Sequence, residues 1–278
     1  MTSTPAPFVS LDVSRLSFNQ ATAERASLGE VVEACARHHI PFVGVWRHKL
    51  AEIGLTAAAK LVRDAGVRVS SVCRGGMFPA PSPAERARRI DDNKRAIDEA
   101  ATLGAEVLVL VCGAAPDRDI TAGRRMVTDG IAAIAPYAAE RGVRLGIEPL
   151  HPAFAAERSC ITTLREARQL AERFDATVGV IVDVYHVWWD PERTIEIARL
   201  SNRIVGYHVN DWLVPMTDVL MNRGMMGDGR IDLPTIRAEV ERAGYHGVVE
   251  VEIFNHAIWA MPLDDVLALT KLRFSECS

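Results

Sequence analysis

Ionisable side chains stand inside or directly after four short apolar segments in the second half of the chain. The segments read GIEPL, VDVYH, YHVND and VEVEIF, and they carry Glu148, Asp183, His208 and Glu252. A charged group in apolar surroundings costs several kcal/mol unless it is paired or bound to a metal. Three neighbouring carboxylates also raise one another's pKa unless a cation is present. If the segments meet, this oxygen-rich set predicts a divalent metal, with Mn²⁺ or Mg²⁺ favoured and Co²⁺ or Zn²⁺ as alternatives.

Further polar and aromatic residues fall at the ends of apolar segments. Arg47 either binds a carboxylate or phosphate group through paired hydrogen bonds or forms an ion pair with a local acid, and the same two readings apply to Arg74. Asp211 either orients His208 from behind or caps the segment that follows it. Of the five tryptophans, Trp46 and Trp259 are the first candidates to stack on a sugar ring, although tryptophan is also a common packing residue.

The elements that must position these groups are eight short apolar strands separated by segments of helical period. Several strands, such as VLVLV at 107–111, are continuously apolar, which is typical of parallel strands covered on both faces. Helix starts are marked by sequences such as Ser27-Leu-Gly-Glu30, which resembles a capping box. The predicted strands are Leu16–Phe18, Phe42–Trp46, Val67–Cys73, Val107–Cys112, Val143–Glu148, Val178–Val184, Ile204–Val209 and Val248–Phe254.

The spacing of these strands predicts an α/β fold, a (β/α)₈ TIM barrel. Seven intervals between residues 16 and 248 average about 33 residues, close to the roughly 30 of a βα unit. The alternative, a doubly wound open sheet, calls for GxGxxG after the first strand, where the chain reads NQATAERAS. We expect one domain over 1–278 with its core at about 16–274. The four ionisable groups then meet at the barrel mouth, beside a long irregular segment at 212–232 that is expected to be an active-site loop.

Composition argues against several classes of protein and site. Lys and Arg total 32 against 36 Asp and Glu, a formal net charge of −4, which argues against nucleic-acid binding. The five cysteines are far apart and form no CxxC pair, so neither a zinc knuckle nor a disulfide framework is indicated. The sequence shows no signal peptide and no run of 18 apolar residues, so we expect a cytoplasmic protein that does not act at a membrane.

The strings GIEPL, DVYH and HVND, the loop Arg223-Gly-Met-Met-Gly-Asp-Gly229 and the ending GYHGVVEVEIF resemble the sugar phosphate isomerase/epimerase family of xylose isomerase-like TIM barrels. By position, the resemblance implies that the metal ligands are Glu148, Asp183, His208 and Glu252. It also implies that His186 and Arg223 contact the substrate.

Glu250 precedes Glu252 by two residues on the same side of the strand, so either could be the ligand. We favour Glu252 because the family's glutamate follows the first glycine of GYxG, here Gly244, by eight residues. Glu250 would then need a partner of its own, such as an arginine.

The function implied by the resemblance is isomerisation or epimerisation of a sugar by proton transfer next to a carbonyl, through a metal-stabilised enediolate. Glu148 and Glu252 would be the general acid–base pair. The alternative is a lyase, a dehydratase or decarboxylase, that acts on an oxidised sugar or sugar acid at the same site. A multi-zinc DNA-repair endonuclease of the same superfamily is disfavoured because Arg47 and Arg74 stand where that pattern has histidines. Such barrels often dimerise or tetramerise, so a homo-oligomer is a further implication.

Overall fold

Parallel strands alternate with helices along the chain in the order that the hydrophobic pattern predicts. The computed structural model describes residues 13–277, so residues 1–12 and Ser278 of the expected domain lie outside the described part. The strands are β1 (Leu16–Asn19), β2 (Phe42–Trp46), β3 (Arg68–Gly76), β4 (Val107–Val111), β5 (Arg144–Glu148), β6 (Val178–Asp183), β7 (Ile204–Val209), β8 (Asp211–Trp212), β9 (Arg223–Gly224) and β10 (Val249–Val251).

Helices connect the strands and cover the outside of the sheet. Among residues 13–277, no helix combines the length and the apolar character needed to cross a membrane. The helices are α1 (Leu28–Arg37), α2 (Arg47–Ile53), α3 (Leu55–Ala65), α4 (Pro83–Leu103), α5 (Ile120–Glu140), α6 (Leu164–Ala171), α7 (Val184–Val187), α8 (Arg193–Leu200), α9 (Leu233–Arg242), α10 (His256–Trp259) and α11 (Leu263–Cys277).

Eight of the strands close into a parallel barrel, which confirms the predicted (β/α)₈ fold. Around the barrel the order is β1-β10-β7-β6-β5-β4-β3-β2, and β1 pairs in parallel with both β2 and β10. The remaining two strands, β8 and β9, form a small antiparallel pair at the end of β7. The long segment at 212–232 is therefore partly ordered by its own strand pair.

Local sequence signals account for several element boundaries. The hydroxyl of Ser27 accepts the N–H of Glu30, and the Glu30 carboxylate accepts the N–H of Ser27, so the predicted capping box begins α1. Helix α3 ends at Gly66, whose φ of 68° is left-handed and costs a glycine little.

Two strands end three residues away from their predicted ends near the barrel mouth. Strand β10 ends at Val251, three residues before the predicted end, so Glu252 lies just beyond it. Strand β3 runs on to Gly76 instead of ending at Cys73. Its pairing with β4 shifts between Cys73 and Gly75, which leaves Arg74 unpaired in the ladder. Such a bulge turns a side chain away from the regular alternation of the strand.

The barrel interior contains a buried carboxylate one layer below the mouth. Glu250 accepts hydrogen bonds from Asn19 Nδ2 at 2.5 Å, Ser70 Oγ at 2.7 Å and Ser71 Oγ at 3.0 Å. These donors are uncharged, so the expected arginine partner of Glu250 is replaced by an amide and two hydroxyls. Gly44 on β2 lies against this group, and a Cβ at that position would approach Glu250 Oε1 to 2.2 Å.

The close approach of Gly44 to Glu250 gives a stability prediction. We expect Gly44→Ala to lower the free energy of unfolding by about 1–3 kcal/mol, because the added methyl group displaces a hydrogen-bonded carboxylate. Gly29→Ala in α1 is the matched control, since its Cβ meets atoms only at 3.9 Å. Urea unfolding of both variants measures the effect, and equal stability of the two would contradict this account of Gly44.

Candidate metal centre

Four ionisable side chains converge at the carboxyl ends of neighbouring strands. Glu148 ends β5, Asp183 ends β6, His208 lies near the end of β7, and Glu252 directly follows β10. Each residue is at most 5% exposed. One ligand atom from each of the four lies within 4.8 Å of all the others. The structure therefore brings together the four residues that the sequence singled out.

The donor set fits a divalent cation. Glu148 Oε1 and His208 Nδ1 are buried, lie 3.5 Å apart and make no hydrogen bond. Leaving two such atoms unsatisfied costs about 1–3 kcal/mol each. A cation between them would satisfy both, and three carboxylate groups with one imidazole nitrogen are suitable ligands for Mn²⁺, Mg²⁺, Co²⁺ or Zn²⁺.

The charges around His208 reflect an excess of carboxylates. Burial works to lower the pKa of His208, but the negative charges of Glu250 and Glu148 raise it to about 10. The imidazole is therefore protonated at neutral pH when no metal is bound. Because a metal ligand must be deprotonated, metal binding at Nδ1 would release this proton.

Arg223 lies inside the cluster instead of at its edge. Strand β9 carries its guanidinium to Glu252 Oε2 at 2.9 Å and Asp183 Oδ2 at 3.1 Å. The guanidinium carbon lies 4.6 Å from the centre of the Tyr185 ring and 4.9 Å from that of Phe254. Burial works to raise the pKa of Asp183, but the charge of Arg223, the two histidines and the N–H of Tyr185 together outweigh it and the net shift is downward. Arg223 thus helps to keep a ligand carboxylate ionised.

Asp183 is oriented by the chain that surrounds it. Its Oδ1 accepts the N–H of Tyr185 at 2.8 Å and the side-chain amide of Asn210 at 3.2 Å. Oδ2 is left to face the cluster. The sequence analysis did not single out Asn210, although it stands in the string HVND directly after β7.

His186 is held as a neutral ring with one defined tautomer. Burial lowers its pKa to about 3. The backbone N–H of His151 donates to Nδ1 at 3.1 Å, so the single ring proton resides on Nε2. Nε2 lies 3.2 Å from Arg223 Nη2, which is also a donor, so this contact is not a hydrogen bond. The Nε2–H group is therefore free to donate to an oxygen in the cavity.

Glu250 lies two residues deeper than Glu252, in register with His208, and its carboxylate is bound by Asn19, Ser70 and Ser71 instead of facing the cluster. Its Oε1 lies 4.0 Å from His208 Nε2, on the side of the ring opposite to the cluster. The imidazole therefore stands between Glu250 below and Glu148 above. This arrangement fits Glu252, and not Glu250, as the fourth ligand.

A narrow cavity opens over the cluster. Among the described residues, Trp46 and Arg74 contribute to its wall, and so do Arg158 and Phe154, which the sequence analysis did not single out. The residues that line it are Trp46, Cys73, Arg74, Val111, Glu148, Leu150, Phe154, Arg158, His186, Leu220, Arg223, Glu252 and Phe254. Arg158 lies in a loop after β5 with no strand pattern, so no sequence signal marked it.

Two expected substrate contacts lie away from this cavity. Arg47 starts α2, and its guanidinium donates to Glu99 at 2.5 Å and to Asp92 at 2.9 Å, both on α4. Trp259 donates from Nε1 to the carbonyl of Ala21 at 2.7 Å and borders a separate depression. In both cases the side chain that we expected to bind the substrate is hydrogen-bonded to another part of the protein. The spacing of residues in the sequence does not indicate these partners.

Asp211 binds the segment that follows it, which is the second of the two roles expected for this residue. Its carboxylate accepts the backbone N–H groups of Gly227 at 3.0 Å, Gly229 at 2.8 Å and Ile231 at 3.0 Å. Within residues 13–277 no hydrogen bond joins it to His208, so the expected orienting contact is replaced by loop contacts. Asp211 therefore shapes the 212–232 segment from which Arg223 reaches the cluster.

Comparison with known protein families agrees with the barrel fold. A family model for xylose isomerase-like TIM barrels matches residues 26–272. The chain therefore belongs to that family, as the resemblance implied.

Particular relatives include both characterised enzymes and solved structures. Over 183 residues the chain is 27% identical to a 3-dehydroshikimate dehydratase of Pseudomonas putida and 30% identical to that of Pseudomonas aeruginosa. The matched stretch is 63% of this chain but only 27% of each dehydratase, so the chain spans about a quarter of their length.

Two solved structures are similar over nearly the whole chain. Protein SMc04130 from Sinorhizobium meliloti is 48% identical with a TM-score of 0.94, covering 96% of this chain and 99% of that one. The IOLI protein, solved with a bound zinc atom, has a TM-score of 0.83 and covers 95% of this chain and 97% of its own. At 19% identity, this second likeness shows the shared fold alone.

The ligand assignment predicts a loss of metal affinity on substitution of Asp183. We expect Asp183→Asn to weaken Mn²⁺ binding by at least about 100-fold, because losing even an outer partner of a ligand costs about 10- to 100-fold. Asp190→Asn is the control, since Asp190 is also buried and accepts the N–H of Glu192 outside the cluster. Calorimetric titration with Mn²⁺, Mg²⁺, Co²⁺ and Zn²⁺ measures the affinities, and an unchanged affinity in Asp183→Asn would contradict the assignment.

Proposed function

We propose that the protein is a divalent-metal-dependent isomerase or epimerase that moves a proton at a carbon next to a carbonyl of a carbohydrate. The observation that carries the proposal is the position of Glu148 and Glu252 in one buried cluster with Asp183 and His208. The cluster supplies both a cation site and two carboxylates that face the same cavity.

A bound divalent ion would supply electrophilic catalysis, by polarising the carbonyl of the substrate and balancing negative charge that develops on its oxygens. Mn²⁺ or Mg²⁺ suits the oxygen-rich ligands best, with Co²⁺ or Zn²⁺ as alternatives. The residues that would hold it are Glu148, Asp183, His208 and Glu252.

In this proposal the two glutamates carry out the proton transfer. Glu148 comes from β5 and Glu252 follows β10, and β6 and β7 lie between these strands around the barrel. The carboxylates therefore approach a substrate from different sides. We propose that one of them removes the proton and the other returns it, a role that adds about 10²- to 10⁴-fold to a rate.

Two neighbouring side chains would position the substrate. His186 can donate its Nε2–H to a substrate oxygen, because its Nδ1 is already engaged by His151. Trp46 offers an apolar ring at the cavity wall and is fixed by its own hydrogen bond to Asn19 at 2.8 Å. An apolar face beside a polar donor suits a sugar, whose ring carries both kinds of surface.

The proposal predicts that proton exchange depends on both glutamates. In D₂O, the metal-loaded protein should incorporate solvent deuterium into a ketose from a panel of D-fructose, D-tagatose and D-psicose. We expect Glu148→Gln and Glu252→Gln each to reduce incorporation by at least about 100-fold. Glu140→Gln on the exposed end of α5 is the control. Mass spectrometry measures the incorporation, and unchanged exchange in both cluster variants would sink the proposal.

A second candidate function is elimination from the same site. The observation that favours it is the sequence similarity to two 3-dehydroshikimate dehydratases. Removal of a proton next to a carbonyl, followed by departure of a hydroxyl group as water from the neighbouring carbon, needs the same two carboxylates. Product mass separates the two reactions, because isomerisation conserves mass and dehydration of 3-dehydroshikimate removes one water.

A further inference from the structure

Two arginines that take no part in the cluster face its cavity without an acidic partner. Arg74 and Arg158 both line the cavity, together with Glu148 and Glu252. Within residues 13–277, neither guanidinium forms an ion pair or a side-chain hydrogen bond. The nearby Arg47 and Arg89, in contrast, each bind carboxylates of α4.

Separate elements of the fold hold these arginines in place. Arg74 stands at the bulge where the pairing of β3 with β4 shifts. Arg158 lies in the loop after β5, where its carbonyl accepts the N–H of Gly113 at 3.0 Å and its own N–H donates to Phe154 at 2.9 Å. Its guanidinium carbon lies 5.7 Å from the centre of the Phe154 ring. The backbone at both arginines is therefore fixed, while their guanidinium groups stay available to bind a ligand.

Bringing these charges together does not help the protein to fold. Burial lowers the pKa of Arg158, and the positive charges of Arg74 and Arg223 lower it further, against the smaller opposing effects of Glu157 and Glu252. Each guanidinium carries five N–H donors, and those that are half-buried lose contacts with water. An arrangement that costs stability at the mouth of a site is typical of groups reserved for a ligand.

We propose that the substrate is a hydroxy-keto acid and that Arg74 and Arg158 together bind its carboxylate. This inference rests on the proposed function, because it places the acid at the far end of a molecule whose carbonyl lies over the cluster. Planar guanidinium groups match the two oxygens of a carboxylate, and such charge-assisted hydrogen bonds are among the strongest in proteins.

The space beside Arg74 continues into an outer cleft that carries charges of both signs. The cavity shares Trp46, Cys73 and Arg74 with an outer cleft of about 520 Å³. That cleft also carries the acidic side chains of Glu85 and Asp92. Arg47, Arg88 and Arg89 line the same cleft, and Arg47 and Arg89 are paired with these two acids, whereas Arg74 forms no ion pair within residues 13–277.

Equilibrium binding to the Mn²⁺-loaded protein tests the proposal with matched acid and neutral ligands. The first pair is D-fructuronate and D-fructose, which differ only in the terminal carboxylate. The second is 3-dehydroshikimate and its methyl ester. Since a hydrogen bond to a charged group contributes about 1.5–3 kcal/mol, we expect each acid to bind at least about tenfold more tightly than its neutral partner. Equal affinity within both pairs would overturn the proposal, as would tighter binding of D-fructose 6-phosphate than of D-fructuronate.

Variants assign the preference to the two arginines. We expect Arg74→Gln and Arg158→Gln each to reduce the preference for the acid, and the double variant to abolish it, with Mn²⁺ affinity unchanged. Arg88→Gln is the control, because Arg88 is an exposed arginine of the same outer cleft. If Arg88→Gln weakens binding of the acid as much as Arg74→Gln does, the general positive charge of the cleft explains the preference, and the assignment of the subsite to Arg74 and Arg158 is wrong. Binding and proton exchange are separate measurements, so the two proposals can fail separately. If the wild-type protein prefers the acid but Glu148→Gln and Glu252→Gln keep proton exchange, the proposed function is refuted and the carboxylate subsite is not.

Discussion

Repulsion among three carboxylates within 4.8 Å of one another is the constraint on which the mouth of this barrel depends. Burial removes the water that would screen these charges, so protein groups or a cation must balance them. Asp183 is balanced by Arg223 and by donors from its own strand end. Glu148 Oε1 and His208 Nδ1 face each other at 3.5 Å without a hydrogen bond, and this defines where a cation belongs. The aromatic rings around Arg223 and the loop contacts of Asp211 serve the same purpose, because they hold the guanidinium in place.

The binding of Glu250 inside the barrel depends on the absence of a side chain at Gly44. Around the barrel β10 is followed by β1, β2 and β3, so Glu250 must reach past two strands to bind the serines of β3. Gly44 of β2 stands in register with Ser71 and with Asn19, and its lack of a Cβ leaves room for the carboxylate. The carboxylate of Glu250 is therefore bound by donors of β1 and β3, in the space that Gly44 of β2 leaves open.

The fold and the ligand set could be predicted from the sequence because both depend on local patterns. Apolar strands and polar residues at their ends are readable within a few positions. Contacts between distant segments are not: the donors to Glu250 lie 179 to 231 positions away, which is why an arginine was expected in their place. Arg47 and Arg74 stand at similar strand ends in the sequence. Arg47 is paired because two acids of α4 lie next to it, and this contact between distant segments has no local signal.

The bulge in β3 has a consequence for how such a protein diverges. A single extra residue sets the direction of Arg74, in a strand that supplies none of the four clustered side chains. Insertion or deletion of that residue would change the charge presented to incoming molecules without moving β5, β6, β7 or β10. Selection could therefore alter which compounds are accepted in the first half of the chain while the reactive groups of the second half stay constant.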